Sequence, residues 1–85
     1  MPYISTYNRN SYKKIVKEIE KHPAYNSGDL NYLLTQLVKS YLGANPTYQK
    51  YNDVVGALEG CKLEFYRRAV SEYEDAKVIE NGDVY

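Results

Sequence analysis

The sequence is short of the residues that most enzyme chemistry needs. It holds one cysteine, one histidine, one methionine and no tryptophan among 85 residues. A lone cysteine rules out a disulfide within the chain, and one histidine with one cysteine cannot complete a four-ligand zinc site, so no metal is expected. No G-x-G-x-x-G, phosphate-loop or H-E-x-x-H pattern occurs, and no cofactor is implied. No apolar run approaches the ~20 residues that span a bilayer, and Met1-Pro2-Tyr3-Ile4 shows neither the basic nor the apolar region of a signal peptide. The expectation is a cytoplasmic protein with no membrane partner. Net charge is also missing: eleven Lys and Arg balance eleven Asp and Glu. Domains that bind duplex DNA are more basic than this, so extended nucleic acid is not an expected partner.

What the chain has in excess is tyrosine, eleven residues against a single phenylalanine. A tyrosine ring is apolar, but its hydroxyl needs a partner when buried. So many of them suit half-buried positions, either at contacts between subunits or in the walls of a pocket that grips a planar polar ligand. Ordinary amphipathic filler on small helices is the plainer reading.

The apolar residues repeat with a helical period and never alternate as in a strand, which predicts a single all-α domain over residues 1–85. Residues 1–6 read as an extended arm. A first helix is expected near residues 8–21, capped by Thr6, Asn8 or Asn10, with Tyr12, Ile15, Val16 and Ile19 on one face and an end at His22-Pro23. A second, capped by Ser27 or Asp29, covers residues 29–42. Its stripe is Leu30, Leu33, Leu34, Leu37, Val38, Tyr41 and Leu42, and Gly43 closes it. A third opens at Thr47 or Asn52 and spans residues 48–80, with Ser71-Glu72-Tyr73-Glu74 reading as a capping box that kinks it near Val70-Ser71. Asn81-Gly82 then turns into a tail over residues 81–85. Three short helices with a long third one make a thin core for a chain of this size, so a homo-oligomer is expected. Gly56 and Gly60, four apart on the long helix, offer a weak signal for close approach by another helix. The arm about Tyr3 and the tail ending at Tyr85 would close a pocket or lock subunits together.

The zero net charge conceals a split. Residues 1–50 carry seven basic groups against three acidic, and residues 51–85 four against eight. The basic first helix either meets phosphate or is simply a solvated face, and its Lys17 and Lys21 lie beside Glu18 and Glu20. His22 precedes a proline at a helix end, and Cys61 lies between Leu58 and Phe65, where a thiol packs as a small apolar group. Neither asks for a catalytic role, and no enzyme is expected.

Ligand binding is better supported. Gly28-Asp29-Leu30-Asn31-Tyr32 sets free backbone N–H groups and polar side chains at a helix start, where an anion is stabilised. Lys62-Leu63-Glu64-Phe65-Tyr66-Arg67-Arg68 interleaves aromatic and guanidinium groups. Arginine grips phosphate with two parallel bonds, and tyrosine stacks on a base. Asn31, Tyr32, Arg67 and Arg68 are therefore the candidate contacts to phosphate or base edges, with Tyr66 and Tyr73 as stacking groups. The competing reading makes Arg67 and Arg68 surface residues bridged to Glu64 and Glu72 along the helix.

The blocks Gly28-Asp29-Leu30-Asn31-Tyr32, Lys62-Leu63-Glu64-Phe65-Tyr66-Arg67-Arg68 and Asn81-Gly82-Asp83-Val84-Tyr85, with Val55-Gly56-Ala57-Leu58-Glu59, Tyr73-Glu74-Asp75 and the opening Met1-Pro2-Tyr3-Ile4, resemble an uncharacterised family of small phage and prophage proteins. The resemblance covers nearly the whole chain and carries no assigned catalytic residues. It implies phage provenance, and with it one functional class. Small oligomeric phage proteins include sponges that sequester the nucleotide signals of bacterial immunity, such as cyclic nucleotides or cyclic ADP-ribose types. Such a protein needs phosphate donors, stacking surfaces and an interface pocket, but no catalytic group. The alternative is a structural or protein-interaction module, a phage accessory factor or an inhibitor of a host protein, with no small ligand. A small hydrolase acting on the same nucleotides is the third class, and would depend on a carboxylate such as Glu64 or on His22.

Overall fold

A computed structural model describes residues 4–85, so the arm about Tyr3 lies outside the described residues. The elements are α1 (Thr6–Ser11), α2 (Lys13–Lys21), α3 (Ser27–Leu42), α4 (Tyr48–Phe65), a π-helical turn (Tyr66–Val70) and α5 (Ser71–Asn81). No strand occurs among the described residues, and the all-α reading holds. No helix is long and apolar enough to cross a membrane. The chain divides into two compact units, Met1–Tyr51 and Asn52–Tyr85, each described by itself.

In the first unit, the expected single helix over residues 8–21 is two helices. Ser5 rather than Thr6, Asn8 or Asn10 is the N-cap, its hydroxyl accepting the Asn8 N–H at 3.1 Å. Helix α1 therefore begins at Thr6, inside what reads as the arm. It stops after six residues because its sequence is rich in groups that bond the local backbone, as when the Ser11 hydroxyl donates to the Asn8 carbonyl at 2.6 Å. Tyr12 takes φ −101° and ψ 5°, and its N–H is shared between the Arg9 and Asn10 carbonyls. Helix α2 then carries Ile15, Val16 and Ile19 to His22, where Pro23 ends it as expected.

The cap of α3 also differs from expectation. Asn26, not Ser27 or Asp29, has the extended N-cap backbone, and its Oδ1 accepts the Asp29 N–H at 2.8 Å. At the other end Gly43 adopts φ 70° and ψ −164°, a conformation that only glycine takes without strain. Helix α4 opens at Thr47, the first of the two expected positions, whose Oγ1 accepts the Lys50 N–H at 3.2 Å. Lys50 also sends Nζ to the Tyr41 carbonyl at 3.2 Å, near the Tyr41 ring.

Helical residues continue from Tyr48 to Asn81, but the winding changes where a kink is expected. The Ser71 N–H bonds to the Tyr66 carbonyl five residues back, which defines the π-turn. The capping box does not form. Ser71 has helical φ −61° and ψ −41°, whereas an N-cap needs extended backbone. Helix α5 runs one residue beyond the expected end at residue 80, to Asn81, and Gly82 at φ 88° releases the chain.

The apolar stripes are not covered. No described residue is buried, and Leu30, Leu33, Leu34 and Leu37 of α3 are all exposed. Cys61, expected to pack as an apolar group, is exposed as well.

Candidate functional site

The six sequence-predicted ligand residues fall in both units. Asn31 and Tyr32 lie on the first turns of α3, just after its Asn26 cap. The Asn31 carbonyl accepts the Thr35 hydroxyl at 2.8 Å, and Tyr32 stands out from the helix with its ring exposed. Tyr66, Arg67 and Arg68 form the π-turn, and Tyr73 follows on α5.

In the second unit Arg67 and Arg68 converge on Glu64. Its carboxylate accepts hydrogen bonds from Arg67 Nη2 at 3.0 and 3.2 Å and from Arg68 Nε. Of the two carboxylates expected to bridge these arginines, Glu64 pairs with both, one carboxylate serving two guanidiniums. Glu64 is only 25% exposed, while Arg67 and Arg68 keep 65% and 62% of their side-chain surface open. Desolvation works to raise the Glu64 carboxyl, but the bonds and charges of Arg68 and Arg67 outweigh it, so the group sits below its ordinary value. With the Glu74 carboxylate at the Tyr66 hydroxyl, two carboxylates face the two guanidiniums around the turn. Arginine binds an oxyanion in bidentate geometry where one reaches it.

The tyrosines are held too. The Tyr66 hydroxyl donates to Glu74 Oε1 at 3.2 Å, a link eight residues long that ties the π-turn to α5. The Glu74 charge, then this hydrogen bond and desolvation, raise the Tyr66 phenol above its ordinary value. Tyr73 has the Lys77 ammonium 5.6 Å from its ring centre, and Lys77 also meets Glu80 at 3.3 Å. Exposed rings beside cations make stacking surfaces for planar, negatively charged groups.

A cationic surface lies in the first unit. Thr6, Arg9, Asn10, Lys13, Lys17 and Glu20 line an open groove along α1 and α2 of about 530 Å³. The sequence shows this helix to be basic. The break at Tyr12, between the α1 and α2 residues that line the groove, has no sequence signature. Among the described residues, no group of three or more His, Cys, Asp or Glu side chains is placed to hold a metal ion.

The family model of a domain of unknown function, DUF6899, matches residues 1–84, and the chain belongs to that family. Neither a curated protein nor a solved structure matches it.

Proposed function

We propose that this member of the DUF6899 family is a non-catalytic binding protein of phage origin that sequesters a small nucleotide-like signal in the host cytoplasm. The observation that carries the reading is the π-turn. It sets Arg67 and Arg68, each nearly two-thirds open, on the shared carboxylate of Glu64, next to Tyr66 and one helical stretch from Tyr73. π-turns within helices are frequent at functional sites, because the extra residue re-aims side chains. A phosphate entering here displaces Glu64 from guanidiniums already positioned, and the tyrosine rings stack on the base. Asn31 and Tyr32, on their own unit, are the remaining candidate contacts.

Thermal unfolding against cyclic dinucleotides, cyclic trinucleotides and cyclic ADP-ribose isomers tests this. A ligand at 100 times its dissociation constant adds about 2.7 kcal/mol. In a domain of this size that raises the midpoint by about 10 °C or more. Arg67→Ala abolishes the shift while leaving helicity intact. A flat panel for the wild type, or a shift retained in Arg67→Ala, overturns the assignment.

The exposed apolar stripes of α2 and α3 favour a second reading, a structural or protein-interaction module with no small ligand. That reading gains ground if the panel is flat.

A further inference from the structure

The open groove along α1 and α2 plays no part in the π-turn reading, and every residue that lines it belongs to the first unit. Arg9, Lys13 and Lys17 line it with Thr6, Asn10 and Glu20, and Val16 is the apolar exception. Three cations thus stand against one carboxylate. The whole of α1 and α2 keeps that sign, with Lys14 and Lys21 added on one side and Glu18 on the other. Glu18 is already engaged by Lys21, at 3.6 Å. Among the described residues, no ion pair forms at Arg9, Lys13 or Lys17. Arg9 is instead held by the backbone, its Nε and Nη2 each donating to the Ile4 carbonyl at 3.4 Å. A neutral acceptor orients the guanidinium and leaves its charge uncompensated.

We propose that this groove binds a small soluble molecule carrying two neighbouring phosphate groups. Cations gathered without carboxylates repel one another, and an oxyanion that bridges them removes that repulsion while accepting charge-assisted hydrogen bonds. Lys13 and Lys17 are one helical turn apart, about 6 Å along the axis, a separation that flexible lysine side chains close onto adjacent phosphates. Arg9 adds a planar fork that suits two oxygens of one phosphate. The Thr6 hydroxyl and the Asn10 amide are neutral donors beside it. Glu20, the last lining residue along the chain, repels further negative charge at its end, which limits the anionic part of the ligand. Shape decides between the sources of phosphate. The recess measures about 530 Å³, within the ~300–1,000 Å³ of small-molecule sites. A lipid surface instead needs an apolar face beside the charges to enter the headgroup layer. On α2 that face carries Ile15 and Ile19, which line the cavity towards α3 and not this groove. The proposal is independent of the reading of Arg67 and Arg68, which lie in the other unit.

The test is amide NMR titration of the full chain with inorganic pyrophosphate, against sodium chloride of matched ionic strength so that diffuse screening is subtracted. Saturable binding is expected, with the shifts concentrated at residues 6–20. Lys13→Gln/Lys17→Gln weakens it at least about tenfold, since each change removes a charge-assisted bond. Glu20→Gln strengthens it. Glutamine has nearly the helix propensity of lysine and glutamate, so the variants keep their helicity, checked by far-UV circular dichroism. Absence of saturation overturns the proposal, and so does binding that the lysine pair does not weaken. Because the readout is residue by residue, the two readings fail separately: shifts confined to residues 64–73 overturn this one and leave the π-turn reading standing. Cosedimentation with phosphatidylglycerol vesicles, lost in Lys13→Gln/Lys17→Gln and unaccompanied by pyrophosphate binding, overturns it in favour of a lipid surface.

Discussion

The four glycines on the helices and their ends past α3 respond oppositely to one chemical change, and the structure supplies the sign. Gly56 and Gly60 lie inside α4 with ordinary helical backbone, and a methyl group built on either meets nothing within 4 Å. Alanine there gains about 0.8–1.0 kcal/mol of helix propensity per site with no steric cost. The double variant Gly56→Ala/Gly60→Ala is therefore more stable by about 2 kcal/mol. At about 4–8 °C per kcal/mol for a domain of this size, the midpoint rises by about 8–16 °C. Gly43 and Gly82 also have open space around them, but their φ values of 70° and 88° belong to glycine. Alanine at either costs about 1–3 kcal/mol through backbone strain alone. The assay is circular dichroism at 222 nm with temperature, all variants at one protein concentration. A fall in midpoint for Gly56→Ala/Gly60→Ala would refute the reasoning. It would mean that a neighbouring helix uses those two glycines for close approach.

Three further outcomes follow from named contacts. Asn26→Ala removes the acceptor of the Asp29 N–H and lowers stability by about 1 kcal/mol, read as a midpoint about 4–8 °C lower, whereas Ser27→Ala is nearly neutral. Tyr66 is raised by Glu74, so it stays protonated when ordinary tyrosines have ionised. Its contribution is complete below the unfolded value and is lost as pH rises through the folded one, seen as a late step in phenolate absorbance that Tyr66→Phe abolishes. Glu64 is lowered, so its ion pairs contribute above the unfolded carboxyl value and are lost as pH falls through the folded one. Carboxyl NMR titration should find its step below those of exposed glutamates, and Arg67→Ala should move it upward.

Much of the fold is legible because helical periodicity and helix stops are local properties. The stripes of α2 and α3 and the ends at His22-Pro23 and Gly43 follow from neighbouring residues, and Thr47 is one of two caps they offer for α4. The caps of α1 and α3 were harder to read, since Ser5-Thr6 and Asn26-Ser27-Gly28-Asp29 each offer several competing oxygens within one turn, and backbone dihedrals decide which one bonds. The π-turn has no composition of its own. Ser71-Glu72-Tyr73-Glu74 has the letters of a capping box, but that motif works only where the chain enters a helix from extended backbone, and here it was already helical. In the candidate site, the Glu64–Arg67–Arg68 pairing was visible as spacing of three and four. The Tyr66–Glu74 bond was not, because a π-turn shifts the register across which residues eight apart meet. The stripes also imply burial that neither unit provides by itself, since periodicity says which face is apolar but not what covers it.

The most direct test of sequestration is recovery of the ligand itself. The purified protein is mixed with each nucleotide of the panel, freed of unbound material, heated to unfold it, and the released small molecules are weighed by mass spectrometry. The account predicts that one of them is retained in fixed proportion to the protein, released with unchanged mass, and not retained by Arg67→Ala. Release of a cleaved product would contradict a non-catalytic role, and retention of nothing by the wild type would contradict ligand binding altogether.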